Sequence, residues 1–193
     1  RMLAHLQGQL VNYASLAKSL GVSSPSVKKY LQFLEHAFLI EFLEPFAGNT
    51  GKRIVRSPKI YLRDSGILNY LLGIYTYNDL LAHPHAGAIW EGFVIQQIRS
   101  VLPFDADRCF YRTQHGAEID LVISLANQQR IGVEIKFSSA PALTRGNYEA
   151  MNDLNLQHLY VITPTSDSYQ LKKNVEVSGT TAFLHKLMKD TDS

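Results

Sequence analysis

Three side chains near the middle of the sequence, Asp120, Glu134 and Lys136, have the types and spacing to act on a phosphate ester. Each acid lies inside an apolar stretch, Ile119-Asp120-Leu121-Val122-Ile123 and Ile131-Gly132-Val133-Glu134-Ile135-Lys136-Phe137. A buried carboxylate with no partner is costly, so their presence there needs a cause. Two carboxylates on rigid strands give a hard divalent cation oxygen ligands, and magnesium takes one or two of them with water and substrate phosphate. A cation so held lowers the pKa of bound water and offsets charge on a phosphodiester in the transition state. A lysine beside it can orient the attacking water or stabilise the developing negative charge. Glu91, on a helix ahead of the strands, can complete the carboxylate shell. The same residues also fit an internal ion pair, with Lys136 neutralising Glu134 or Asp120 and no catalysis.

The elements that must position these groups follow from periodicity. Residues two apart in a strand share a face, so Glu134 projects with Lys136 and Glu118 with Asp120, while the aliphatic residues pack the other side. Gln128-Gln129-Arg130 suits a hairpin loop between the two strands, which brings Asp120 close to Glu134. Ahead of them, Ile89–Ile98 reads as a helix with a thick apolar face and Cys109–Arg112 as a short strand. After them come a helical stretch over Asn147–Asn155 and a buried strand at Leu159–Ile162. Strands separated by helices make this part α/β.

The first part reads differently. Asn12 caps a helix whose stripe is Ala14, Leu16, Ala17 and Leu20, and Gly21 stops it. Ser23-Ser24-Pro25 starts a second helix with Val27, Tyr30, Leu31 and Leu34 on one face. Two short helices joined at a glycine describe a helix-turn-helix. Phe38–Leu43 and Arg53–Val55, joined by a Gly48–Lys52 turn, predict a hairpin that makes it a winged helix. Lys28, Lys29 and Gln32 on the second helix and Lys52, Arg53 and Arg56 on the wing are the candidate nucleic-acid contacts. The alternative is a module whose second helix serves packing between domains. Gly48–Lys52 lacks the length and hydroxyl of a nucleotide-binding phosphate loop. The expected division is a winged helix-turn-helix over 1–57, a connecting strand and helix over 58–85, and an α/β domain over 86–193.

Composition narrows the class. The chain has 193 residues, is 46% hydrophobic and 19% charged, and so is neither fibrous nor a disordered tail. Residues 1–65 carry nine Lys/Arg against four acids, whereas 66–193 carry ten against thirteen. A basic front can meet phosphate and an acidic back can hold cations. No apolar run is long enough to span a bilayer and no secretory signal opens the sequence, so no membrane partner is expected. One cysteine, Cys109, leaves no disulfide framework or cysteine zinc site. It reads as a small buried residue and suits a reducing, cytoplasmic setting. The first residue, Arg1, suggests a piece of something longer. His83-Pro84-His85 and His115 read as loop and turn histidines, and Trp90 as packing.

Asp120 with Glu134-Ile135-Lys136, preceded by Glu91, resembles the PD-(D/E)XK restriction-endonuclease-like superfamily, and Gly116–Asp120 looks like the corresponding strand start of its archaeal junction-resolvase branch. The blocks Ser57–Leu68, Trp90–Val94 and Tyr111–Thr113, in that order, resemble the C-terminal half of a prokaryotic family of AAA-type ATPases. There a winged helix and a nuclease-like domain of largely unassigned function follow the ATPase module. The resemblance implies a restriction-endonuclease-like αβββαβ domain after the winged helix. By position, it makes Asp120 and Glu134 metal ligands, Lys136 the catalytic lysine, Glu91 the helix acid and Glu118 a secondary polar member. The superfamily's proline before the first acid is replaced by Ile119. What it implies functionally is magnesium- or manganese-dependent DNA processing, with ATP handled only by an upstream domain, since no Walker A sequence lies within these residues. The alternative it leaves open is a non-catalytic DNA- or protein-binding regulatory module of that ATPase.

Overall fold

The computed structural model describes residues 1–103, 106–124 and 130–191 and is a mixed α/β structure of two compact units. One consists of Arg1–Leu43 with Ser57–Phe93, and the other of Glu44–Arg56 with Val94–Ser193.

In the first unit a short 3-10 helix, Met2–Leu6, leads into β1 (Gln9–Leu10), α1 (Tyr13–Leu20), α2 (Ser24–His36) and β2 (Ile40–Leu43). After the excursion of 44–56 come β3 (Lys59–Leu62), α3 (Ser65–Leu72), α4 (Tyr77–Ala82) and the start of α5 (Ala86–Val101). The expected caps are present: Asn12 accepts from Ser15 N–H, Gly21 closes α1 at φ 66°, and Ser23 accepts from Ser26 N–H. The buried stripes are narrower than the periodicity suggested. Leu16, Ala17, Val27 and Leu31 pack into the core with Ile40, Ile60 and Leu68, but Ala14, Leu20 and Tyr30 face solvent. Only one side of each short helix meets the sheet and its neighbour.

The hairpin expected between Phe38–Leu43 and Arg53–Val55 is absent. Instead β2 pairs antiparallel with β3, Ile40 opposite Leu62 and Leu43 opposite Lys59, and β1 joins the other edge of β3. Lys59-Ile60-Tyr61-Leu62 is buried at every position, whereas Arg53 and Arg56 hold the apolar pair Ile54-Val55 between exposed cations. The more apolar segment takes the central place. Residues 44–56 belong to the second unit, where Ile54 bridges Thr113 and Val55 N–H donates to the Arg112 carbonyl at 3.0 Å.

The second unit holds the rest of α5, then β4 (Asp107–Arg112), β5 (Glu118–Ser124), β6 (Arg130–Ile135), α6 (Arg145–Leu154), β7 (His158–Thr163), β8 (Tyr169–Lys172), β9 (Val175–Gly179) and α7 (Thr180–Thr191). Its sheet runs β4-β5-β6-β7-β9-β8. Strands β4, β5 and β6 are antiparallel neighbours, β6, β7 and β9 run parallel, and β8 returns antiparallel along β9. The β8–β9 hairpin and α7 go beyond the elements the sequence predicted; Asn174, at φ 61°, makes the tight turn between the two strands. The expected loop residues Gln128 and Gln129 lie outside the described residues, and Arg130 opens β6.

Candidate functional site

Strands β5 and β6 bring the two central acids together. Leu121 pairs with Val133 and Val122 with Gly132, so one further step of the same register sets Asp120 opposite Glu134. The ladder hydrogen bonds stop there, and the Asp120 side chain takes over: its Oδ2 accepts from Ile135 N–H at 2.9 Å. Lys136 follows the end of β6, anchored by its own N–H to the Ile162 carbonyl of β7 at 2.9 Å. From there its ammonium donates to Glu134 Oε1 at 2.6 Å.

Burial makes this group electrostatically tense. Asp120 is 8% exposed and Glu134 3%. Glu134 Oε2 is buried with no hydrogen-bond partner. Burial, and after it the Asp120 carboxylate, push the Glu134 carboxyl up to about 8, against the opposing pull of Lys136 and the Asn147 amide. Burial alone would lower Lys136, but Glu134, Asp120 and Glu118 outweigh it and hold the ammonium above its usual range. The Lys136 side chain is 33% exposed and gives the group its opening to water.

Glu118 lies at the start of β5, where its carboxylate pairs with Arg112 Nε of β4 at 3.5 Å and its carbonyl accepts from Asn147 Nδ2 at 2.9 Å. Asn147 escaped the sequence reading as a site residue. It is buried at the first turn of α6 and completes a capping box with Thr144, accepting from Thr144 N–H at 2.8 Å. The Thr144-Arg145-Gly146-Asn147 spacing was the available signal, a cap followed three residues on by a side chain that reaches back. Gly146 lets α6 approach β5 closely, because a Cβ there would collide with the Gly116 carbonyl oxygen.

Glu91, expected to complete the shell, has its carboxylate engaged inside the first unit. Its Oε1 accepts from the buried Lys59 Nζ at 3.1 Å and from the Tyr61 hydroxyl. Among the described residues no three His, Cys, Asp or Glu gather as a metal-holding group. Asp120 and Glu134 therefore stand as a pair. That donor set fits magnesium or manganese, which takes one or two carboxylates and fills its remaining positions with water and phosphate oxygens.

The candidate nucleic-acid residues are divided between the units. Lys28, Lys29 and Gln32 are exposed on α2 in the first, while Lys52, Arg53 and Arg56 lie on the 44–56 segment of the second. Lys52 pairs with Asp153 at 3.7 Å, and the same carboxylate accepts from the Tyr111 hydroxyl at 2.9 Å. His115 is an exposed turn residue, and Trp90 stacks on Phe93 with ring centres 5.7 Å apart. His85 lies 5.5 Å from the His83 ring and 6.1 Å from the His5 ring, and His83 Nδ1 accepts from His85 N–H. Cys109 is buried in β4, and burial pushes its thiol up to about 12. No helix among the described residues is long and apolar enough to cross a membrane.

Residues 86–183 match a family described as a domain of unknown function (DUF4143), and residues 1–78 match another, a domain of unknown function (DUF8612). Two uncharacterized proteins, from Mycobacterium bovis and Mycobacterium tuberculosis, are each 41% identical over 174 residues, 90% of this chain. The chain spans 39% of the length of either relative. Among solved structures, a refined half-complex from a tetradecameric assembly of Thermococcus gammatolerans McrB AAA+ hexamers with bound McrC is similar at a TM-score of 0.39 and 10% identity. That match covers 97% of this chain and 70% of the other.

Proposed function

The chain belongs to the DUF4143 family, and from that premise we propose that it is the DNA-processing module of an AAA-type ATPase, with a divalent-cation site at Asp120, Glu134 and Lys136. Domains of this family are often found with AAA ATPases, and in this reading ATP is handled by a module outside the 193 residues.

One observation carries the site: Glu134 Oε2 is buried without a partner while Oε1 is held by Lys136. A half-satisfied carboxylate beside a second carboxylate is a poor structural device and a ready ligand. Magnesium or manganese held by Asp120 and Glu134 would supply Lewis acidity and an activated water. The chain's own residues do the positioning. Ile135 N–H fixes the Asp120 carboxylate, and β6 fixes Glu134 among aliphatic neighbours. Lys136, at the solvent opening, donates to Glu134 Oε1 and can turn its ammonium toward a phosphate oxygen as negative charge develops there. Lys28 and Lys29 on α2 contribute contact with the DNA backbone.

A second reading, a regulatory module that binds DNA or protein without cleaving it, is favoured by the close Lys136–Glu134 pair and by a ligand set that, among the described residues, has two carboxylates. Incubation with branched and linear DNA and manganese separates the two. Cleavage by wild type that disappears in Asp120→Asn and in Lys136→Ala supports the first reading. Cleavage surviving both substitutions overturns the site, and DNA binding without cleavage selects the second reading.

A further inference from the structure

The outward face of α2 joins aromatic rings to a lysine. Tyr30 is 57% exposed and Phe33 71%, and the two lie three residues apart, on adjacent turns of one helix surface. Lys29 precedes Phe33 by four residues on the same side and Gln32 is exposed next to Phe33, while Lys28, two residues before Tyr30, projects from the opposite flank of the helix. Tyr30 also borders an apolar groove of about 350 Å³ that it shares with Leu34 and Phe38. Phe38, just past the helix end, is 71% exposed and holds φ at 60°. Its ring is already engaged within the unit, with the Arg63 guanidinium 5.3 Å from the ring centre.

We infer that this face binds an unpaired DNA strand, with bases stacking on Tyr30 and Phe33 and the backbone phosphates held by Lys29. The inference rests on the reading of α2 as a DNA contact and narrows it to single strands. Three features favour that ligand. A phenyl ring cannot hydrogen-bond the base edges of a duplex, yet it stacks on any unpaired base. Lysine is depleted from protein–protein interfaces, so Lys29 beside the Phe33 ring fits a polyanion better than a protein surface. Phe33 and Lys29, one helical turn apart, also set a ring beside a cation, as a strand with alternating bases and phosphates requires.

The test uses the full chain without divalent cation, so that no strand is cut. Affinity is measured for a short oligo-dT strand and for a duplex of equal length across a range of salt. Oligo-dT is expected to bind more tightly than the duplex. The double variant Tyr30→Ala/Phe33→Ala is expected to weaken oligo-dT binding roughly tenfold or more with its salt slope retained. Lys29→Ala should instead lower the slope by about 0.7. Because both rings are more than half exposed, the melting temperature of the aromatic variant should match wild type. An aromatic variant that binds oligo-dT like wild type overturns the inference, as does one that alters only self-association. Preference for the duplex overturns it while leaving the DNA-contact reading of α2 intact. Failure to bind either probe removes both.

Discussion

Lys136 Nζ lies 2.6 Å from Glu134 Oε1, while the other oxygen of that carboxylate is buried with no hydrogen-bond partner. An ion pair selected for stability would satisfy both oxygens, because removing charges from water is repaid only by a complete set of partners. Asp120, opposite on β5, adds like charge to a site that already penalises it. The arrangement is costly as structure and suited to receiving positive charge, and its consequences can be measured.

The first concerns pH. Glu134 titrates near 4.5 when unfolded and near 8 in the fold, so between those values the folded chain binds the extra proton. Stability therefore falls as pH rises through this window. Lys136, raised above 10.5, contributes only above the window, and His158, lowered from 6.5 chiefly by burial, acts in the opposite sense on its acidic side. Thermal melts across the range should decline toward the alkaline end, and Glu134→Gln should flatten most of that decline. A wild-type curve rising from pH 5 to 8, or a Gln variant as steep as wild type, contradicts the assignment.

A cation reverses that trend. Magnesium or manganese competes with the proton for Glu134, so it should bind more weakly at acid pH and raise the melting temperature most near pH 8. At a hundredfold excess over its dissociation constant the gain is about 2.7 kcal/mol. For a chain of 193 residues that is roughly 5–10 °C. Calorimetry on wild type and Asp120→Asn checks it, with the variant expected to lose the gain. Equal stabilisation of both by manganese would place the cation elsewhere.

Much of this site was legible because strands advertise themselves in a single sequence. The alternation around Asp120 and Glu134 gave their faces, and two acids in aliphatic runs marked themselves as unusual. What escaped depends on pairing. Nothing local in Arg53-Ile54-Val55 shows that β2 will prefer Lys59–Leu62, because that choice is settled by how much apolar surface each candidate buries. Glu91 looked like a ligand because its type and position fit. Its actual partner, Lys59, lies 32 residues earlier and is a rare fully buried lysine that sequence alone does not reveal. Asn147 was missed for a simpler reason, since the helix was started at it rather than at its cap, Thr144.

Gly146 allows a direct test of how α6 supports the site. An alanine methyl there would run into the Gly116 carbonyl, a backbone atom that cannot swing away, so α6 would have to lift from the start of β5. Overpacking of this kind costs about 1–3 kcal/mol. The Asn147–Glu118 hydrogen bond, 2.9 Å long, should open with it. Gly146→Ala is therefore expected to lower the melting temperature and also to weaken manganese binding. The surface change Arg145→Ala, one residue away and highly exposed, should do neither. Unchanged cation affinity in a destabilised Gly146→Ala protein would separate α6 from the site.

The buried pair in the first unit makes the last prediction. Lys59 is almost wholly enclosed, and its ammonium is neutralised by Glu91, which also accepts from the Tyr61 hydroxyl. Removing the acid strands a charge in the interior, which costs about 3–5 kcal/mol. Glu91→Ala should accordingly lower the melting temperature by roughly 6 °C or more. Lys59→Met with Glu91→Leu removes both charges and keeps volume, so most of that loss should return, because the penalty comes from the unpaired charge and not from the missing contact. The cycle of single and double variants measures the coupling directly. Manganese affinity should be unchanged in Glu91→Gln, since the carboxylate is already engaged with Lys59 and Tyr61. A variant that melts like wild type but loses the cation would instead return Glu91 to the ligand role its sequence position suggested.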